Sequence, residues 1–230
     1  MTTPPQLRQS SSARLRAVDD LAGAAGRLEA LLNEGRPDAQ YSVLLGHPHP
    51  LGGGTMHNKV VYRAMKVFQA YGWPALRLNF RGAGLSEGTH DNGKGEVDDL
   101  RAGLNWLERE FHLPILFAGF SFGGNVGLRA CCGDPRVQGI VTMGIPVHAE
   151  GRDYRYDFLP GCTQPKLFLS GAEDAYGPED AVRAIVSTAA PPTQLVFIAG
   201  ADHFFTGKLQ ELDLPIRNWV ETHFLTLQDQ

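Results

Sequence analysis

Beyond residue 40 the apolar positions alternate between short continuous runs and spaced repeats. The run at 41–45 is followed by Val60, Val61, Ala64, Met65, Phe68 and Tyr71, which fall on one helical face. Gly72 ends that helix. A second run over 74–80 precedes Val97, Leu100, Leu104, Leu107 and Phe111, an amphipathic helix by the same spacing. A third strand over 114–119 leads into a helix over 122–132, and further strands are predicted at 137–145, 166–169 and 194–198. A helix over 178–189 lies between the last two. The final helical stretch carries Leu209, Leu212, Ile216, Trp219, Val220 and Phe224 on one face, with Pro215 splitting or restarting it. Near-continuous apolar strands alternating with helices predict an α/β fold, with a mostly parallel central sheet and helices on both faces. Upstream the pattern is weaker. Residues 28–32 lean to helix by propensity, while Gly23-Ala24-Ala25-Gly26 reads as a turn joining two strands, so helix and hairpin are both open there. Residues 1–13 have almost nothing to bury and are expected to form a flexible tail, with 14–230 a single domain.

Composition narrows the class. The chain has 230 residues, 43% of them hydrophobic, which excludes disorder, and no apolar stretch approaches the roughly 18 residues of a membrane-spanning helix. With 21 Lys+Arg against 25 Asp+Glu, a formal net charge of −4 and no basic block, neither nucleic acid nor an anionic membrane is expected as partner. Arg8, Arg14 and Arg16 precede no apolar core of a secretory signal, so the cytoplasm is the default location. Cys131, Cys132 and Cys162 make no disulfide framework in a chain this size, and adjacent cysteines rarely bridge, so all three are expected reduced and buried. Glycine stands out, with 27 residues where ordinary usage predicts about 16.

The chemistry follows the strands, as it does in open parallel sheets. Gly119-Phe120-Ser121-Phe122-Gly123 is G-x-S-x-G between a predicted strand and a predicted helix, the setting of a nucleophile elbow. A serine held in so tight a turn crowds the residues two positions either side, and glycine there removes the offending Cβ atoms. Such a serine needs a base and a group to orient the base. Gly171-Ala172-Glu173-Asp174 follows the strand at 166–169, and Asp202-His203-Phe204-Phe205 follows the one at 194–198, which gives Ser121, Asp174, His203 in the order Ser, acid, His. Glu173 and Asp180 are the neighbouring rival acids, and Asp202 is expected to shape its own turn. Two backbone N–H groups must hold the oxyanion. Phe122 follows the nucleophile; in His47-Pro48-His49-Pro50-Leu51 the prolines have no N–H, leaving His49 first and Leu51 second.

These motifs resemble the α/β-hydrolase superfamily from about residue 27 onward. The narrower likeness is to small bacterial hydrolases without a lid, through HPHPLGGGTMHNKVV, NFRGAGLSEG, GFSFGG and DHFF in that order. The resemblance implies antiparallel strands at the N-terminus, which tips 28–32 toward strand, and it supports Ser121, Asp174 and His203 as the triad. The resemblance supplies no substrate; the site residues themselves point to a serine hydrolase of small carboxylic esters, with amides second, that needs no cofactor. Lidded relatives insert the cap between the strands here at 137–145 and 166–169; residues 148–164 are too few for one, so no cap domain and an open cleft are expected. Phe122, Phe204, Phe205 and Tyr176 are candidates to line it, the last three as substrate-binding residues. Rival readings are weaker. Gly82-Ala83-Gly84 mimics a dinucleotide fingerprint, but its third glycine is a residue late and no helix begins there. His47, His49 and His57 lack the further ligands of a metal site. A non-catalytic ligand receptor or a peptidase-type hydrolase of the same fold are the remaining alternatives.

Overall fold

The structure, a computed structural model, describes residues 14–149, 151–152 and 154–225; the tail expected over 1–13 lies outside them. The N-terminal ambiguity resolves as strand. β1 (Leu15–Val18) runs into a small hairpin of β2 (Ala22–Gly23) and β3 (Gly26–Arg27), and the chain returns as β4 (Ala30–Asn33), antiparallel to β1. Ala30 and Leu32 are buried while Leu31 between them is only half-buried, the period of a strand. Pairing on both edges of β4 overrides its helical propensity.

The remaining elements alternate as the pattern predicts: β5 (Ser42–Gly46), α1 (Lys59–Gln69), β6 (Ala75–Leu78), α2 (Gly95–Phe111), β7 (Ile115–Phe120), α3 (Phe122–Cys131), β8 (Val137–Met143), β9 (Lys166–Gly171), α4 (Glu179–Val186), β10 (Thr193–Ile198) and α5 (Asp213–Val220). Asn58 opens α1 by accepting the Val60 N–H at 2.9 Å. Pro215 sits in the first turn of α5, where its missing N–H costs nothing, just after a 3₁₀ turn over Leu209–Leu212. The eight-stranded sheet has the order β1-β4-β6-β5-β7-β8-β9-β10. All pairs from β6 to β10 are parallel, and β4 is antiparallel to β6.

Strand alternation divides the core into two layers. Val43 and Leu45 pack with Val61, Met65 and Phe68 of α1 and Trp219 of α5. Leu44 packs on the other face with Leu100 and Leu104 of α2. Trp106, Phe120 and Trp219 are buried. Among its described residues the link between β8 and β9 contains only a 3₁₀ turn over Leu159–Gly161, so there is no cap domain and the carboxyl ends of the strands are uncovered.

One expectation fails here. Cys132 and Cys162 form a disulfide, with Cα atoms 4.9 Å apart. The end of α3 and the turn before β9 meet on one face of the sheet, a juxtaposition that a separation of 30 residues does not reveal. Cys131, its neighbour, is free and buried, and burial pushes its thiol pKa far up. Among the described residues no helix is long and apolar enough to cross a membrane.

Candidate active site

The strand-to-helix turn after β7 fixes Ser121. Its backbone lies at φ 53°, ψ −122°, outside the regions comfortable for a side chain. The turn survives because its neighbours are glycines. A Cβ on Gly119 would stand 2.6 Å from the Gly123 carbonyl oxygen, and one on Gly123 would stand 2.4 Å from that of His47. The Ser121 N–H bonds the Met143 carbonyl at 2.9 Å, and the Ser121 carbonyl accepts from Gly124 at 2.8 Å, starting α3. Side chains of strand, turn and helix thus leave Oγ at the carboxyl edge of the sheet.

Two later strand ends supply its partners. His203 Nε2 lies 2.9 Å from Ser121 Oγ, and His203 Nδ1 lies 2.8 Å from Asp174 Oδ2. A carboxylate only accepts, so Nδ1 carries the proton and Nε2 offers its lone pair to the serine hydroxyl. Asp174 is fixed in turn: its Oδ1 accepts the N–H groups of Tyr176 at 2.8 Å and Gly177 at 3.1 Å. All three side chains are buried. The rival acids Glu173 and Asp180 are exposed. Asp202 shapes its turn as expected, accepting the Thr206 N–H at 2.9 Å.

The loop after β5 faces the same point. Pro48 and Pro50 give it no N–H, and the Leu51 N–H is taken by His49 Nδ1 at 3.2 Å. Among the described residues the N–H groups of His49 and Phe122 donate to nothing, and their rings lie 4.7 Å apart. His47 anchors the loop from below: its Nε2 accepts the Phe80 N–H at 2.9 Å and its Nδ1 donates to the Pro48 carbonyl at 2.6 Å. Both ring nitrogens are therefore committed, which removes His47 from any metal set. Burial holds the His47 pKa down to about 4, against the pull of the Pro48 carbonyl. His49 is also lowered to about 4, first by burial and then by the charges of Arg152 and His90.

Around His203 stand three aromatic rings: Tyr176 at 4.7 Å, Phe204 at 5.1 Å and Phe120 at 5.2 Å. Tyr176 and Phe204 are 43% and 53% exposed and border the cleft. Phe205 does not, and its assignment as a substrate contact is corrected. It is fully buried, because the turn closed by Asp202 sets Phe205 at φ 53° and swings its ring into the core against Phe120. Phe122 is likewise buried, against His49 and Phe80, leaving its N–H and not its ring to face the cleft.

Two neighbours carry no signal in the sequence. His90, one of several scattered histidines, packs 4.6 Å from the His49 ring and 5.6 Å from that of Phe122, with Nδ1 2.7 Å from the buried Glu96. Glu96 also accepts the N–H groups of Asp91 and Gly93, both at 2.8 Å. The glycine-rich turn at 82–88 is a structural brace: Arg81 grips the buried Asp99 at 2.7 Å, and Asp99 accepts the Arg81 N–H at 2.9 Å.

Comparison with known proteins agrees with this fold. A family model described as an alpha/beta hydrolase domain matches residues 40–214. An alpha-beta serine hydrolase homologue from Coxiella burnetii is 35% identical, with a TM-score of 0.79 over 92% of this chain and 99% of that one. A serine hydrolase of this class without a lid, from Xanthomonas campestris, is 31% identical, with a TM-score of 0.80 over 90% of this chain and 94% of its own. An uncharacterized protein of Rickettsia prowazekii is 35% identical over 208 residues, 87% of either chain.

Proposed function

The chain belongs to the α/β-hydrolase family, and on that premise we propose that it is a serine hydrolase cleaving small carboxylic esters through an acyl-enzyme on Ser121. The observation that carries this reading is the unbroken hydrogen-bonded series from Ser121 through His203 to Asp174, with two undirected N–H groups beside it. Ser121 Oγ attacks the ester carbonyl as its proton passes to His203 Nε2. The imidazolium that forms keeps its Nδ1–H on the Asp174 carboxylate. The carbonyl oxygen, now an anion, takes the N–H groups of Phe122 and His49. His203 then returns the proton to the departing alkoxide, and the alcohol leaves. Water repeats the sequence on the acyl-serine: His203 takes its proton, the hydroxide oxygen bonds to the carbonyl carbon, and Ser121 leaves reprotonated.

The absence of a cap favours small or flexible substrates over any that must be enclosed, and the exposed rings of Tyr176 and Phe204 offer apolar walls. The test is a panel of nitrophenyl esters and aminoacyl amides, with wild type and Ser121→Ala, beside a serine-directed phosphonate followed by mass spectrometry. Ester turnover and labelling that both vanish in Ser121→Ala are expected. Faster cleavage of amides than of esters would move the assignment to a peptidase. No turnover together with no label on Ser121 would overturn it.

A further inference from the structure

The two N–H groups assigned to the oxyanion belong to residues with buried side chains, and those side chains share a neighbour. His49 comes from the loop after β5 and Phe122 from the turn after β7, and their rings lie 4.7 Å apart. His90, in the loop between β6 and α2, completes a triangle, 4.6 Å from the His49 ring and 5.6 Å from that of Phe122. Its side chain is only 7% exposed. Three elements hold it there. Glu96, in the first turn of α2, is wholly buried and takes the N–H groups of Asp91 and Gly93, which pins the loop just beyond His90. Arg129 of α3, the helix that begins at Phe122, donates to the Gly93 carbonyl at 2.9 Å. The turn after β6 closes the third side, where a Cβ on Gly82 would stand 3.1 Å from the His90 backbone nitrogen.

The His90 ring acts by packing and not by hydrogen bonding. Nδ1 stands 2.7 Å from Glu96 Oε1 but off the line of a hydrogen bond, and Nε2 has no hydrogen-bond partner among the described residues. What the side chain supplies is a flat ring set against two others, a contact with preferred geometry. Donors to an oxyanion must be aimed before the charge forms. A void behind the His49 and Phe122 rings would leave both without contact on that side, free to settle back and turn their N–H groups with them.

Resting on the esterase reading above, we propose that His90 is a positioning residue for the oxyanion site, a wedge behind the His49 and Phe122 rings that sets the direction of both N–H groups. It touches no substrate and moves no proton.

Three variants separate the ring from its polar atoms. His90→Ala removes both, His90→Asn keeps an N–H donor without a ring, and His90→Phe keeps a ring without a donor. Each is assayed for kcat/KM on p-nitrophenyl butyrate and for inhibition by 1,1,1-trifluoroheptan-2-one, with urea denaturation to measure the folded fraction. Ser121 Oγ adds to the ketone carbonyl carbon, the serine proton passes to His203, and the carbonyl oxygen becomes the anion that the two N–H groups hold. A displaced donor costs less than a missing one, so His90→Ala and His90→Asn are expected to lower kcat/KM and raise Ki in parallel, by about ten- to hundredfold, with His90→Phe within about threefold of wild type in both. A merely structural role lowers kcat/KM through the folded fraction and leaves Ki unchanged, and that result overturns the inference. So does wild-type behaviour in His90→Ala and His90→Asn, or a loss in His90→Phe as large as theirs. If His90→Ala does not fold, the contrast between His90→Asn and His90→Phe decides. All of these leave the esterase reading standing. A wild type that turns over no ester and takes no phosphonate label on Ser121 overturns both.

Discussion

The buried His47 makes a prediction about acid stability that can be worked through in full. It is fully buried, its Nε2 accepts the Phe80 N–H and its Nδ1 donates to the Pro48 carbonyl. Protonating Nε2 would set two donors face to face, so the folded state holds the ring neutral, with its pKa lowered to about 4 by burial. The unfolded chain titrates this histidine near pH 6.5. Because the folded value is depressed, the unfolded state binds the extra proton between the two values, and stability falls as pH falls through that window. From pH 7.5 to 4.5 the loss from this residue is about 2–3 kcal/mol. In His47→Gln an amide oxygen can still accept the Phe80 N–H, but the bond to Pro48 is lost, at a cost of about 1–2 kcal/mol. The variant is therefore the less stable protein at pH 7.5 and equals or exceeds wild type at pH 4.5. Urea denaturation at four pH values across this range measures the gap directly, and groups common to both proteins cancel in the difference. A gap that stays constant from pH 7.5 to 4.5 would refute the reasoning.

Three further outcomes follow from single contacts. Asp174→Asn turns an acceptor into a group that can donate to Nδ1, favouring the wrong tautomer, so kcat should fall about 10³–10⁴-fold with KM little changed, as steady-state ester kinetics would record. Removing the disulfide with Cys132→Ser frees a loop spanning 30 residues. By chain entropy that costs about 3–4 kcal/mol, or roughly 10 °C in Tm, and a thermal melt unaffected by the substitution would count against the bridge. Asp99→Ala strands the buried Arg81 and should destabilise by about 3–5 kcal/mol. Asp98→Ala breaks only the exposed pair with Arg101, and should cost under about 1 kcal/mol by the same denaturation assay.

What could be read from the chain and what could not divide along one physical line. Elements and the order Ser121, Asp174, His203 follow from local periodicity and from the rule that chemistry collects at strand ends, both of which act over a few residues at a time. The N-terminal strands were decided by partners far along the chain, and propensity within 28–32 pointed the wrong way. Phe204 and Phe205 are adjacent and of one type, yet one is 53% exposed and the other 0%, because a turn and not a strand determines their directions. The Cys132–Cys162 bridge, the approach of His90 to His49, and Arg152 beside the cleft depend on which loops meet across the sheet. No spacing along the chain encodes that.

Four strand ends contribute to this site, and they are not equally secure. β5 and β7, which carry the His49 loop and Ser121, are interior strands buried along their whole length. β10, which leads to His203, is the last strand of the sheet, joined to β9 alone and half-buried over most of its residues. Its opening therefore costs less than opening the centre, and it carries away His203 while Ser121 stays in place. On heating, turnover would then cease before the fold is lost, and the ceiling temperature of the catalyst is a property of one strand rather than of the protein.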